Sequence, residues 1–166
     1  MNLQKTLIVL KPDAVVRGLL GEIITRFEKV GLKLVGAKML NPDETFYYHH
    51  YETIGKMISR RGQQAFDVTL KMMQYSPVLA MVWEGVEAVS LVRKMVGATE
   101  PKSANPGTIR GDYSHISFAY ADATGRPINN LIHASGDPEE AALEVAHRFH
   151  QHELYAYDTV HSPFVN

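Results

Sequence analysis

A layered fold of the α/β or α+β class, with helices packed on a sheet, is what the sequence predicts, and three observations predict it. The chain has 166 residues, the size of one ordinary domain, with 45% hydrophobic and 21% charged residues. That length and composition let a folded chain bury roughly two-thirds of its unfolded surface without disulfide or metal staples. Short β-branched apolar runs alternate with helical periodicity along the whole chain, which is the pattern of sheet-plus-helix layers. No internal repeat, low-complexity tract or composition shift marks a linker, so residues 1–166 read as one domain.

The elements follow in order. Thr6 to Leu10 is apolar and β-branched and empties into Lys11-Pro12-Asp13, a buried strand ending in a turn. Ile23, Ile24, Phe27 and Val30 recur at helical spacing from Leu20, opposite Glu22, Arg26 and Lys29, and Gly31 stops that helix. Leu32 to Leu40 alternates loosely as a half-buried strand, and Asn41-Pro42-Asp43-Glu44 reads as N-cap, N1 proline and acidic N3 of a second helix. That helical region carries Tyr47 to Tyr51 and passes through Arg60-Arg61-Gly62 into a piece with Phe66, Leu70 and Met73. Val78 to Trp83 is a second buried strand, and Val86, Val89, Val92 and Val96 continue as a helix closed by Gly97. Ala98 to Tyr113 is a Pro/Gly/Ser/Asn-rich loop longer than connection alone requires. Ile116 to Tyr120 reads as a strand, Asp122 to Pro127 as a turn, and Asp137-Pro138-Glu139-Glu140 as the start of a last helix through Phe149.

Several function classes are excluded. With 17 Lys plus Arg against 18 Asp plus Glu, no whole-molecule field draws the chain to nucleic acid or an anionic membrane, so anion binding must be local. The absence of cysteine removes thiolate catalysis and Cys-type zinc sites and accords with a reducing, cytoplasmic setting. Leu7 to Leu10 is too short for a signal-peptide core, and Val78 to Trp83 falls far below the roughly 18 apolar residues of a membrane span. Gly55-Lys56 is followed by Met57, and no G-x-G-x-x-G, H-E-x-x-H or nucleophile elbow occurs. His147, His150 and His152 read as a solvated helix end rather than a metal cluster.

What remains is a set of anion-binding groups beside turns in four separated stretches. They are Lys11-Pro12-Asp13 with Arg17-Gly18-Leu19, Arg93 on the helix after Trp83, Thr99 to Arg110 with Pro106-Gly107-Thr108-Ile109-Arg110-Gly111-Asp112, and Asn130-Leu131-Ile132-His133-Ala134-Ser135. Together with Met81-Val82-Trp83-Glu84-Gly85, these resemble the nucleoside diphosphate kinase family over nearly the whole chain.

The resemblance implies a ferredoxin-like βαββαβ core with a four-stranded antiparallel sheet. It implies transfer of the γ-phosphoryl group of a nucleoside triphosphate to a nucleoside diphosphate, ping-pong through a phosphohistidine, with Mg2+ on the phosphates. His133 matches the catalytic histidine; a neutral imidazole is a competent nucleophile near pH 7 without a separate base. Glu144 matches the acid that orients its ring, and Ser135 the hydroxyl supporting both. Lys11, Arg93, Thr99 and Arg110 match phosphate contacts, Asn130 the residue reading the sugar, and Tyr51 a hydroxyl near the histidine. Phe66 is the candidate ring for stacking the base, and stacking tolerates every base, hence broad specificity.

The chain departs from the family pattern at Ala134 and Gly136, where glycine and an acid are usual. The Ala134 methyl would narrow the approach of phosphate, and Asp137 is displaced by one from a position that contacts magnesium or its waters. Residues 52–66 and 113–129 are longer than the family's usual segments. The resemblance implies a homo-oligomer, with hexamer favoured over tetramer or dimer. The alternative from another class is a nucleotide-binding or regulatory protein that kept the scaffold without turnover.

Overall fold

The computed structural model describes residues 3–165, leaving Met1, Asn2 and Asn166 of the expected domain outside the description. The first strand, β1 (Leu3–Leu10), is followed by α1 (Pro12–Val16), α2 (Leu20–Lys29) and β2 (Lys33–Leu40). Then come α3 (Glu44–Tyr48), a π-helical turn His49–Ile54, α4 (Met57–Arg61), α5 (Gln63–Met73), β3 (Val78–Val86) and α6 (Ala88–Val96). The C-terminal part holds a 3-10 turn Pro101–Ser103, α7 (Ile109–Tyr113), α8 (Phe118–Thr124), β4 (Ile132–Ala134), α9 (Pro138–Arg148), a 3-10 turn Gln151–Glu153 and α10 (Ser162–Val165).

The four strands lie in the order β2-β3-β1-β4, and every neighbouring pair is antiparallel. This is the strand order of the ferredoxin-like α+β fold, as the resemblance implied. Continuous apolar runs in β1 and β3 follow from burial of both faces: Ile8, Leu10, Met81 and Trp83 pack against α2 and α6, while Leu7, Val9, Ala80 and Val82 pack with residues of α3, α5 and α9. Along the free side of β2, Gly36 leaves room for Leu154 and Glu153, and Tyr155 N–H donates to the Val35 carbonyl at 2.8 Å.

Four local readings are corrected. Ile116 to Tyr120 is not a strand: Ser117 caps α8 by accepting from Tyr120 N–H, Ala-rich turns follow, and Gly125 ends the helix with φ +62°. The second helix is capped by Asp43 rather than Asn41, with Phe46 N–H donating to the Asp43 side chain. Val86 closes β3 instead of opening a helix, and Glu87 turns the chain with φ +49°. The loop Ala98 to Tyr113 contains helical turns and is tied to α2 by Arg26, whose Nη2 donates to Asp112 at 2.7 Å and to the Tyr113 hydroxyl at 2.9 Å.

Candidate active site

Alternation in β4 builds the site. Ile132 and Ala134 point into the core on the α2/α6 side, so His133 between them projects toward the face covered by α9 and the π-turn. Nε2 of His133 lies 2.7 Å from Oε1 of Glu144 on α9. A carboxylate only accepts, so that nitrogen carries the proton and Nδ1 keeps its lone pair. The other Glu144 oxygen accepts from the Ser135 hydroxyl at 2.6 Å, and Ser135 Oγ accepts from Leu7 N–H at 3.2 Å. Burial raises the pKa of Glu144, but the neighbouring His133, the hydrogen bonds from His133 and Ser135 and the Arg148 charge outweigh it and hold the carboxyl below its usual range.

The π-turn sends two further side chains to the same place, a use to which such turns are often put. The His50 and His133 rings meet edge to face at 4.7 Å, and His50 Nδ1 stands 3.6 Å from Glu144 Oε1. Burial first, then the charges of His133 and Arg148, push the His50 pKa well down, so this ring is neutral. The Tyr51 hydroxyl is buried beside them with its pKa pushed up by burial. His50 is the functional neighbour that sequence reasoning missed; its signal was its place directly before Tyr51.

Lys11, Tyr51, Arg93, Thr99, Arg110, Asn130, His133 and Glu144 line one cavity of about 250 Å³. Lys11 Nζ donates to Asn130 Oδ1 at 2.7 Å, and Asn130 Nδ2 donates to the Thr99 carbonyl at 2.8 Å. Arg110 donates to the carbonyls of Asn130, Gly97 and Ile132, which leaves part of its five-donor fork unused. Burial and the Arg110 charge lower Lys11 to about 8, although Asp13 opposes them. Burial and Arg93 lower Arg110 to about 10. Burial and mutual repulsion among these cations, only partly offset by Asp13, make the cavity between them suited to a polyanion.

Two expected residues fall elsewhere. Phe66 is 4% exposed in the core with Leu70 and Met73, edge-on to Tyr48, and does not line the cavity, so its ring is not available to a base. Met57, Arg60, Arg61 and Ile128 line the cavity instead. Asp137 caps α9, its Oδ1 accepting from Glu140 N–H at 2.8 Å, and it is not among the residues that line the cavity. The Ala134 methyl is 3% exposed and packs in the core, so it does not stand in front of the His133 ring.

The ligand atoms of His50, His133 and Glu144 lie within 4.8 Å of one another, but both Glu144 oxygens are already engaged, one by His133 and one by Ser135, while His50 Nδ1 stands 3.6 Å away without a hydrogen bond. His147 is no solvated helix end: its ring stacks on Phe46 at 4.0 Å. No helix among the described residues is long and apolar enough to cross a membrane.

A ferredoxin-like sheet that presents a carboxylate-oriented imidazole to a cluster of cations has the make-up of a phosphotransferase. The nucleoside diphosphate kinase family model matches residues 4–154. A nucleoside diphosphate kinase of Borreliella burgdorferi is 46% identical over 157 residues, covering 95% of this chain and 93% of its own. One from Pyrococcus furiosus is 47% identical over 156 residues, covering 94% and 89%. A solved Borrelia burgdorferi enzyme, a transition-state mimic with bound vanadate and ADP, superposes with a TM-score of 0.92 at 45% identity over 96% of this chain and 94% of that one. A Halobacterium salinarum enzyme in complex with CDP gives 0.84 at 37% identity, covering 99% of each chain. The chain belongs to the nucleoside diphosphate kinase family, and its activity is phosphoryl transfer between nucleoside tri- and diphosphates.

Proposed function

We propose that His133 is the group that carries the phosphoryl, with Nδ1 as the attacking atom. The observation that supports this most strongly is the 2.7 Å pairing of its Nε2 with Glu144, on a side chain that lines the cation-rich cavity. The Nδ1 lone pair attacks the γ-phosphorus in line, the bond to the bridging oxygen breaks, and the nucleoside diphosphate leaves with that electron pair. The phosphorylated ring gains positive charge, which the Glu144 carboxylate stabilises through Nε2–H while Ser135 keeps it oriented. A terminal oxygen of a second diphosphate then attacks the same phosphorus, and the N–P bond breaks to restore the neutral imidazole.

Lys11, Arg93 and Arg110 hold the phosphate oxygens, Thr99 adds a hydroxyl at the same wall, and Asn130 with Lys11 addresses the ribose. The Tyr51 hydroxyl faces the reacting group from the π-turn. With both Glu144 oxygens engaged and Asp137 outside the cavity lining, the donor set fits Mg2+ carried mainly on the nucleotide. When bound there, the ion neutralises phosphate charge. This reading takes residues 1–166 as one kinase domain, active as a homo-oligomer in the cytoplasm.

Incubation with γ-labelled ATP tests the reading. An acid-labile, alkali-stable label should form at one per chain, vanish in His133→Ala and be discharged by added diphosphate. A folded protein that binds nucleotide but takes up no label would instead be a binding module.

A further inference from the structure

Among the described residues, one group of three side chains brings potential metal-ligating atoms together: His50, His133 and Glu144. Glu144 Oε1 lies 2.7 Å from His133 Nε2 and 3.6 Å from His50 Nδ1. His50 is 2% exposed, and its Nδ1 is buried beside the carboxylate with no hydrogen-bond partner. A buried polar atom left in that state calls for an explanation. The reaction proposed above uses His133 and Glu144 and gives His50 no task.

Two imidazoles and a carboxylate are a ligand set for a borderline ion such as Zn2+, Co2+ or Ni2+. Bonds of about 2.0–2.2 Å in a tetrahedron put ligand atoms roughly 3.3 Å apart. The separations of 2.7 and 3.6 Å lie on either side of that value. All three residues line the phosphate cavity, which supplies an entry path and a water for the fourth position. Lys11, Arg93 and Arg110 line the same cavity, and Arg148 stands one helical turn after Glu144 on α9. Their positive field turns away Mg2+, which is held by oxygen ligands, whereas bonds to two imidazole nitrogens favour Zn2+ against that field.

We infer that His50, His133 and Glu144 form an inhibitory Zn2+ site, in which the ion displaces the proton on Nε2 of His133 and switches off the nucleophile. The ion takes the Nε2 lone pair, Glu144 Oε1 exchanges its hydrogen bond for a bond to the ion, and His50 Nδ1 supplies the third ligand. Glu144 Oε2 keeps the Ser135 hydroxyl. A neutral imidazole carries one proton, so the proton displaced from Nε2 moves to Nδ1. Nδ1 then has no lone pair with which to attack phosphorus. No proton is released, and nothing is oxidised or reduced. The inference rests on the reading of Nδ1 as the attacking atom.

The test titrates Co2+, whose visible absorption reports a tetrahedral site of nitrogen and oxygen ligands, into the nucleotide-free full chain. One ion per chain should bind, and Zn2+ should displace it. His50→Ala should weaken that binding by more than about 100-fold, given that even the outer partners of a metal ligand are worth about 10- to 100-fold. His147→Asn removes the ring that meets His49 at 4.5 Å, the other close histidine pair on this side of α9, and should leave the binding unchanged. With one equivalent of Zn2+ bound, label uptake from γ-labelled ATP should fall about tenfold or more, because a ring protonated on Nδ1 is no nucleophile, and a zinc-selective chelator should restore it. A nitrogen–proton correlation spectrum of the native protein reads the switch without any variant: His133 should carry its proton on Nε2 before Zn2+ is added and on Nδ1 afterwards. Co2+ binding that survives His50→Ala, or that His147→Asn abolishes, would overturn the inference. So would full labelling, or a proton still on Nε2 of His133, with Zn2+ bound. Failure of the phosphohistidine reading is seen separately, as absence of label before any Zn2+ is added.

Discussion

Asp13 and Leu131 are tied by a 2.9 Å hydrogen bond from the Leu131 N–H to the Asp13 carboxylate across 118 residues of sequence. Leu131 holds φ +69°, a conformation that a bulky side chain adopts only under constraint, and its carbonyl in turn accepts from Lys11 N–H at 2.8 Å. The kinked residue sets the direction in which β4 presents His133 and Asn130. It also explains Asp13 at the end of Lys11-Pro12-Asp13, where a turn residue was expected.

Asp13→Ala should therefore destabilise the fold by about 1–3 kcal/mol and lower kcat/KM together, because the strained backbone loses its partner and the site loses register. Asp13→Asn keeps an acceptor and should recover most of the stability. Chemical denaturation and steady-state kinetics on both variants check this, and an Asp13→Ala protein of wild-type stability and rate would contradict it.

The Glu144 tie is expected to act on the chemical step. Glu144→Gln should reduce kcat on the order of 10- to 100-fold with KM little changed, since the nucleotide contacts lie on other residues. Ser135→Ala leaves Leu7 N–H and one Glu144 oxygen without their partner in the protein interior. It should cost about 1–3 kcal/mol in denaturation and a smaller part of kcat.

Lys11 gives a pH signature. Its folded-state value of about 8 lies below the ordinary 10.5, so between those values the unfolded chain binds the extra proton and stability rises with pH; below pH 8 the charge is present in both states and the native state bears the full burial cost. Wild-type stability relative to Lys11→Met should increase from pH 8 toward 10. Nucleotide affinity should run the other way, with KM rising above pH 8 as the ammonium is lost. Thermal scans and KM measurements across that range decide the signs.

Ala134→Gly, which restores the residue usual in the family, should leave kcat/KM within about twofold and lower stability by about 0.5–1 kcal/mol, because the methyl packs in the core and glycine adds chain entropy. A large gain in rate would mean that the methyl obstructs phosphate after all.

Sequence alone made the site legible where motif and strand end coincide. Lys11 follows β1 directly, Arg93 lines the cavity from α6, His133 lies within β4 opposite Val9 of β1, and Asn130 stands just before that strand. It failed where tertiary packing decides. Phe66 has the same helical spacing as Leu70 and Met73, which marks a core face, and all three pack in the core. The three-residue strand β4 is too short to show a period, and Phe118 to Thr124 looks β-prone at Phe and Tyr until the Ser117 cap and Gly125 stop are weighed. The π-turn that aims His50 has no residue signature at all, because it arises from one extra residue accommodated within a helix.

A proton–phosphorus correlation spectrum of the freshly phosphorylated native protein reads the attachment atom directly. Phosphorus coupled to the ring protons in the pattern of an Nδ1 adduct on His133 is expected. An Nε2 adduct, or phosphorus on any residue other than His133, would contradict it.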